Sequence, residues 1–211
     1  MNQLDSSSFP DTQVCLAARD LAETVSEPFL YNHVCRTYEF GNLLGNVGEV
    51  DFDEEAFFIA CMLHDLGLTD RFANTTYRFE VAGAEAAKLF LSEQGWTDRR
   101  IDIVWDAIAL HTSIGIPPMK RPEIALVQAG AGLDVGVMPL DAIEPEVLER
   151  ILASWPRLGF KHAMIDALAG AAQRNPEAAI FTFVSDIGER QVDGFVLPNA
   201  CDIIHGSSFS E

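Results

Sequence analysis

The sequence predicts an all-α fold, and three observations carry that expectation. Apolar residues recur at helical spacing along most of the 211 residues. No two alternating apolar and polar runs are joined by a hairpin turn. Pro28, Pro122, Pro145 and Pro176 each stand near the start of a periodic stretch, where a missing amide hydrogen costs little. With 48% hydrophobic residues at this length the chain buries a sizeable core, and a single domain over 1–211 is expected. Its helical core is placed at about 11–187. Residues 188–211, ending "QVDGFVLPNACDIIHGSSFSE", lose the period and are expected to wrap the surface as an extended C-terminal tail.

In chain order, a first helix is expected at about 11–25 and a second at 27–44, opened by Pro28 and carrying Phe29, His33, Arg36 and Phe40 on one face. A third, 52–66, follows Asp51 and Glu54, which read as its N-terminal cap, and aligns Phe57, Cys61 and His64. Asp65 lies about a hundred degrees round from His64, so both lean into one space near the helix end. A fourth, 79–94, puts Glu80 near the positive end of its dipole. A fifth, 98–112, capped by Asp98, lines up Ile101, Val104, Ile108 and His111. A sixth, 121–135, does the same with Ile124, Val127, Ala131 and Asp134, and its run "QAGAGLD" is small enough for a neighbouring backbone to approach. Helices at 144–154, 160–173 and 176–187 complete the set, the first and last begun by Pro145 and Pro176.

Composition excludes several classes of function. Lys and Arg total 14 against 32 Asp and Glu, a formal charge of -18, so the surface repels phosphate backbones and anionic lipid. Neither nucleic acid nor a membrane is expected as a partner; a small-molecule substrate is. Cys15, Cys35, Cys61 and Cys201 are widely spaced with no CxxC pair, and read mainly as small buried thiols. The opening "MNQLDSSSFPDTQ" lacks a basic region followed by an apolar core, and no run approaches a membrane span, so a cytoplasmic location is expected. The acidic helical surface and wrapping tail point to a homodimer.

His33, His64 with Asp65, His111 and Asp134 thus stand on four apolar stripes of a chain with only five histidines. Alone, His64 and Asp65 would read as a core histidine beside a capping acid. Together, the five residues leave several buried charges unpaired unless they meet each other or a cation. A shared metal ion resolves this in one step, and nitrogen and carboxylate ligands without thiolate suit zinc, iron or manganese.

The order His33, then His64 and Asp65, then Asp134 resembles the H…HD…D signature of the HD-domain superfamily of metal-dependent hydrolases. More closely, "SEPFLYNHVCRTYEFG", "ACMLHDLGLT", "RFEVAGAEAAKLF", "ALHTSIG" and "QAGAGLDVGV" are similar to successive blocks of the HD-type cyanamide hydratase family, over nearly the whole chain from about residue 13. The resemblance implies an HD-type helical bundle in which His33, His64, Asp65 and Asp134 bind a divalent ion, Zn2+ in the cyanamide hydratases, with Fe2+ or Mn2+ as alternatives. His111 matches a histidine that lines or joins such sites. The dipeptide is followed by "LGLT", without the lysine of the GYP-type cyclic dinucleotide phosphodiesterases, and the "HDxxE" of the nucleotidases is absent.

The expected reaction adds water to a small nitrile-like substrate, cyanamide to urea, through a metal-bound hydroxide. Asp65 would orient the water and His111 would supply a proton. A narrow pocket is expected, with Phe29, Phe57, Phe79 and Ile114 on its wall, Glu80 closing it beside Phe79, and Thr69 hydrogen-bonding around the ligands. His162 and His205 read as surface residues. A competing reading is a phosphohydrolase acting on a nucleotide or other phosphate ester. It needs cations, and Arg36, Arg71, Arg78, Lys120 and Arg121 are the usable ones, Arg36 first because it is three residues from His33. A binding module with a structural metal is the other.

Overall fold

The computed structural model describes residues 9–74, 76–141 and 143–208, and no strand occurs among them. The α-helices are α1 Gln13–Val25, α2 Pro28–Val47, α3 Glu54–Leu63, α4 Phe79–Glu93, α5 Asp98–Leu110, α6 Pro122–Val135, α7 Pro145–Ser154, α8 Phe160–Arg174, α9 Phe183–Gln191 and α10 Ala200–His205. Short 3-10 helices occupy Leu66–Leu68, Pro117–Met119 and Pro176–Ala179. The architecture is the all-α bundle expected. No described helix is long and apolar enough to cross a membrane.

Four boundaries differ from expectation, each for a local reason. Asp53, not Asp51, caps α3, its carboxylate accepting from the Ala56 amide at 3.1 Å. Thr97 is the N-cap of α5, and Asp98 sits in the first turn. The third helix stops at Leu63, so His64 and Asp65 occupy the turn beyond it rather than a helix face. The stretch expected as one helix at 176–187 is a 3-10 turn from Pro176, a break at Ile180 to Thr182, and then α9. Past α9 the tail is non-helical from 192 to 199, where Phe195 and Leu197 pack on the core beneath α8, and it ends in the exposed α10; residues 209–211 lie outside the described residues.

The apolar patterning explains how the helices are layered. α3 is apolar on every side, and Ala56 through Leu63 are all at most 1% exposed, so it forms the centre of the main core among α1, α2, α5 and α6. α2 and α6 pack closely because both carry glycine at the crossing. A Cβ on Gly130 would stand 2.2 Å from the Thr37 carbonyl oxygen, and one on Gly41 2.8 Å from that of Leu126. This approach sets Asp134 of α6 against His33 and Arg36 of α2. A second close contact docks the start of α4 on the turn after Asp65, since a Cβ on Gly67 would lie 2.0 Å from the Phe79 carbonyl oxygen. A separate cluster, with Leu30, Phe160, Met164 and Leu168, holds α8 and α9 to this frame.

Candidate metal centre

Two helix ends and one helix interior supply the centre. His33 lies on α2, His64 and Asp65 in the turn closing α3, and His111 at the C-cap of α5. Each ring has its Nδ1 anchored. His33 Nδ1 donates to Asp134 Oδ2 at 2.7 Å, His64 Nδ1 to the Cys61 carbonyl at 2.8 Å, and His111 Nδ1 to the Ile108 carbonyl at 2.7 Å. A carbonyl only accepts, so the proton sits on Nδ1 and the Nε2 lone pair faces inward.

Those lone pairs converge. His33 Nε2 and His64 Nε2 are 3.2 Å apart, and Asp65 Oδ2 is 3.4 Å from both. His111 Nε2 stands 3.6 Å from Asp65 Oδ1. Two imidazole lone pairs facing one another and a carboxylate repel unless positive charge lies between them. Asp65 Oδ2 is buried with no hydrogen-bond partner, which is costly for a charged oxygen. Donor atoms of His33, His64 and Asp65 all fall within 4.8 Å of one another. This is a nitrogen and oxygen set suited to a divalent ion.

The electrostatics agree. Burial pushes the Asp65 carboxyl up, but His64, His33 and His111 outweigh it and hold the group well below the usual carboxylate range. For His64, burial opposes the charged form, yet Asp65, the Cys61 carbonyl and Asp134 hold the imidazole above its ordinary value. Positive charge is therefore favoured at this point, whether a proton or a metal ion supplies it. Burial, aided by His64, pushes His111 down to about 4, which leaves that ring neutral at pH 7.

Asp134 stands behind His33. Its Oδ1 accepts from Arg36 Nε and Arg157 Nη1, both at 2.7 Å, and its Oδ2 from His33 Nδ1 and Arg36 Nη2 at 2.7 and 2.8 Å. Burial raises this carboxyl less than His33 and Arg36 lower it, so it is held well below its ordinary value. Asp134, expected among the metal ligands, here fixes the His33 ring from behind, an arrangement carboxylates commonly take beside metal-binding histidines. Phe160 covers the group, its ring 5.0 Å from that of His33 and under the guanidinium carbons of Arg36 and Arg157 at 5.2 and 4.4 Å. Behind His111, the buried Glu80 accepts from Arg78 Nε at 2.9 Å and from Thr112 Oγ1 at 2.6 Å.

His33, Asp65, His111 and Asp134 line one cavity of about 750 Å³. The narrow pocket expected from the sequence is thus corrected. α8 meets the centre at its first residue, Phe160, while its later turns, with Met164, Ile165 and Leu168, face open space shared with α6, α7 and α9. Phe79 lines this cavity, 5.7 Å from the His111 ring, and Ile114 lies at its mouth, 82% exposed. Other residues expected at the substrate lie elsewhere. Arg36 is fully buried behind Asp134, with Nη1 on the carbonyls of Trp155 and Pro156. Thr69 donates to the Leu66 carbonyl at 2.7 Å and serves the turn. Phe29 packs on the outer side of Phe160 at 6.4 Å, Phe57 is in the main core against Tyr38, and Glu80 is enclosed by Arg78 and Thr112. His162 and His205 are exposed. Sequence reading missed Arg157 and Phe160, since "WPRLGFK" follows a break in the period and offers no signal of facing α2.

The family model described as "HD domain" matches residues 30–153, a span that holds His33, His64, Asp65, His111 and Asp134. No curated protein matches the chain.

Proposed function

The chain belongs to the HD domain family, and we propose that this member is a metal-dependent hydratase acting on a carbon–nitrogen triple bond. HD domains bind divalent metals, and the fit of this chain rests on the orphaned Asp65 Oδ2 beside two inward Nε2 lone pairs. His33, His64 and Asp65 would hold the ion, with zinc, iron and manganese all compatible with the donors. When bound, such an ion supplies a Lewis acid and an acidified water.

The remaining steps belong to the chain. Asp134 keeps His33 in the tautomer and orientation that present Nε2. Neutral His111, with Nδ1 already bonded to Ile108, takes a proton at Nε2 before it can give one. It therefore receives the proton of the attacking water as the carbon–oxygen bond forms, and returns it to the nitrogen as one carbon–nitrogen π bond opens. This refines the expectation of His111 as the initial donor. The immediate product is an imidic acid, whose O–H proton then shifts to nitrogen to give the amide, or urea from cyanamide.

The observation that favours a neutral reacting group over a phosphate is that the arginines nearest the centre are held by carboxylates, Asp134 offsetting one of the two charges it binds. Arg36 and Arg157 are both paired with Asp134, and Arg78 with Glu80. Lys120, also a candidate for phosphate, is paired with Asp106. A phosphohydrolase retains one specific argument, since Arg157 and Lys161 do line the cavity. Metal-replete protein given cyanamide, nitriles, isocyanides and nucleoside monophosphates separates the two. Urea or amide formation supports hydration, and phosphate release without it transfers the assignment.

A further inference from the structure

The cavity is large for what the reaction alone requires. Pockets of about 300–1,000 Å³ take drug-sized ligands, and a water occupies about 30 Å³. Cyanamide, with three heavy atoms, would leave most of this roughly 750 Å³ space to solvent.

Its walls are the wrong chemistry for solvent. Beyond the centre they are built mainly by Leu148 and Leu152 of α7, Met164, Ile165 and Leu168 of α8, and Ile187 of α9, with Gln128, Arg157 and Lys161 as polar exceptions. At the mouth Ile114 and Val137 are 82% and 64% exposed, so apolar lining runs out to the surface there. Apolar surface of this extent, continuous with a reactive centre, gains stability only when an apolar body covers it.

We propose that the substrate carries a long, uncharged hydrocarbon body on its reacting group, in the manner of an alkyl nitrile. The group sits at His33, Asp65 and His111, and the body lies between α6, α7, α8 and α9. This rests on the hydratase reading for the identity of the reacting group, while the hydrocarbon body rests on the cavity alone.

Binding of the n-alkyl carboxamides from butanamide to decanamide, the hydration products of such nitriles, tests the body separately from the reaction. Calorimetry is expected to show affinity rising about threefold to fourfold per methylene, as burial of each group predicts, until the cavity is filled. Ile165→Trp and Leu148→Trp, two independent ways of occupying the space, are expected to make the rise level off at shorter chains. Affinity independent of chain length overturns the proposal, as does a rise unchanged in both variants that fold with wild-type circular dichroism, which would place binding elsewhere. The hydratase reading is judged by turnover of the matching nitriles. A length-dependent affinity without turnover leaves the hydrocarbon body standing and removes the nitrile, whereas turnover of acetonitrile and decanenitrile at equal kcat/KM overturns the body and keeps the reaction.

Discussion

His33 and Asp134, 101 residues apart in the chain, are joined by a 2.7 Å hydrogen bond from Nδ1 to Oδ2. That bond turns Nε2 of His33 toward His64 and Asp65. The other side of the same carboxylate holds Arg36, which is fully buried. Asp134→Asn keeps an acceptor for His33 but leaves the Arg36 charge uncompensated. Chemical denaturation is expected to show a loss of about 3–5 kcal/mol. Metal titration is expected to show affinity reduced about 10- to 100-fold rather than abolished. Complete loss of metal from a folded variant would instead make Asp134 a direct ligand.

The purified protein is expected to hold about one divalent ion per chain, measured by elemental analysis. His64→Ala removes one of three clustered donors and is expected to release it, while His162→Ala, at an exposed position, is expected to leave metal content unchanged. Chelation should lower the melting temperature of the wild type and not that of His64→Ala. Equal metal content in both variants would contradict the donor assignment.

His111→Ala separates proton handling from metal binding. With Nε2 3.6 Å from Asp65 Oδ1, loss of the ring is expected to reduce kcat about a hundredfold to ten-thousandfold, with metal retained. A variant that loses its metal in parallel would identify His111 as a further ligand.

Two glycine substitutions are expected to have opposite signs. Gly130→Ala drives a Cβ to 2.2 Å from the Thr37 carbonyl oxygen, where only backbone movement relieves the clash, and should destabilise by about 1–3 kcal/mol or more. Gly170→Ala, inside α8, meets only the far end of Arg174 at 3.3 Å and should stabilise by about 0.5–1 kcal/mol through helix propensity. Thermal unfolding of both variants is the check, and a stable Gly130→Ala would show that α2 and α6 tolerate a wider crossing.

Acid should weaken the cap of α3. Asp53 accepts from Ala56 and, at 2.8 Å each, from Arg100 Nε and Nη2; burial pushes its carboxyl up, but these partners hold it below the ordinary aspartate value. A depressed native pKa contributes stability that is present above the unfolded value of about 3.9 and is lost as pH falls through the native value. Asp53→Asn retains the cap without the charge. The stability gap between wild type and variant is expected to be about 1 kcal/mol at pH 7, given that Asp53 and Arg100 are each about a third exposed, and to shrink by pH 3. A gap independent of pH would exclude the ion pair as its source.

Much of the fold was legible because helix periodicity and proline placement are local. Pro28, Pro122, Pro145 and Pro176 all stand at the first turn of the elements they were expected to open. The choice of Asp53 over Asp51 shows only in the fold, where the Asp53 carboxylate takes both the Ala56 amide and Arg100 of α5. The break before α9 was missed because "PEAAIFTFVSDI" keeps an apolar pattern that the chain uses to cover the α8 cluster.

The sequence by itself determined that His33, His64, Asp65, His111 and Asp134 recur on apolar stretches, because the energetic cost of isolated buried charge is a property of residue type and pattern. Tertiary structure decided what each then does. Phe57 is expected on the pocket wall with Phe79, and Arg36 as a phosphate cation, but the crossing of α2 and α6 at Gly130 turns Arg36 onto Asp134 and α3 takes Phe57 into the core. The inward Nε2 atoms depend on hydrogen bonds from His33 to a residue 101 positions away, and from His64 and His111 to carbonyls exposed only where α3 and α5 end. The width of the cavity follows from how α6, α7, α8 and α9 stand around it, and helix packing is set by side chains meeting across the core, information that no local spacing contains.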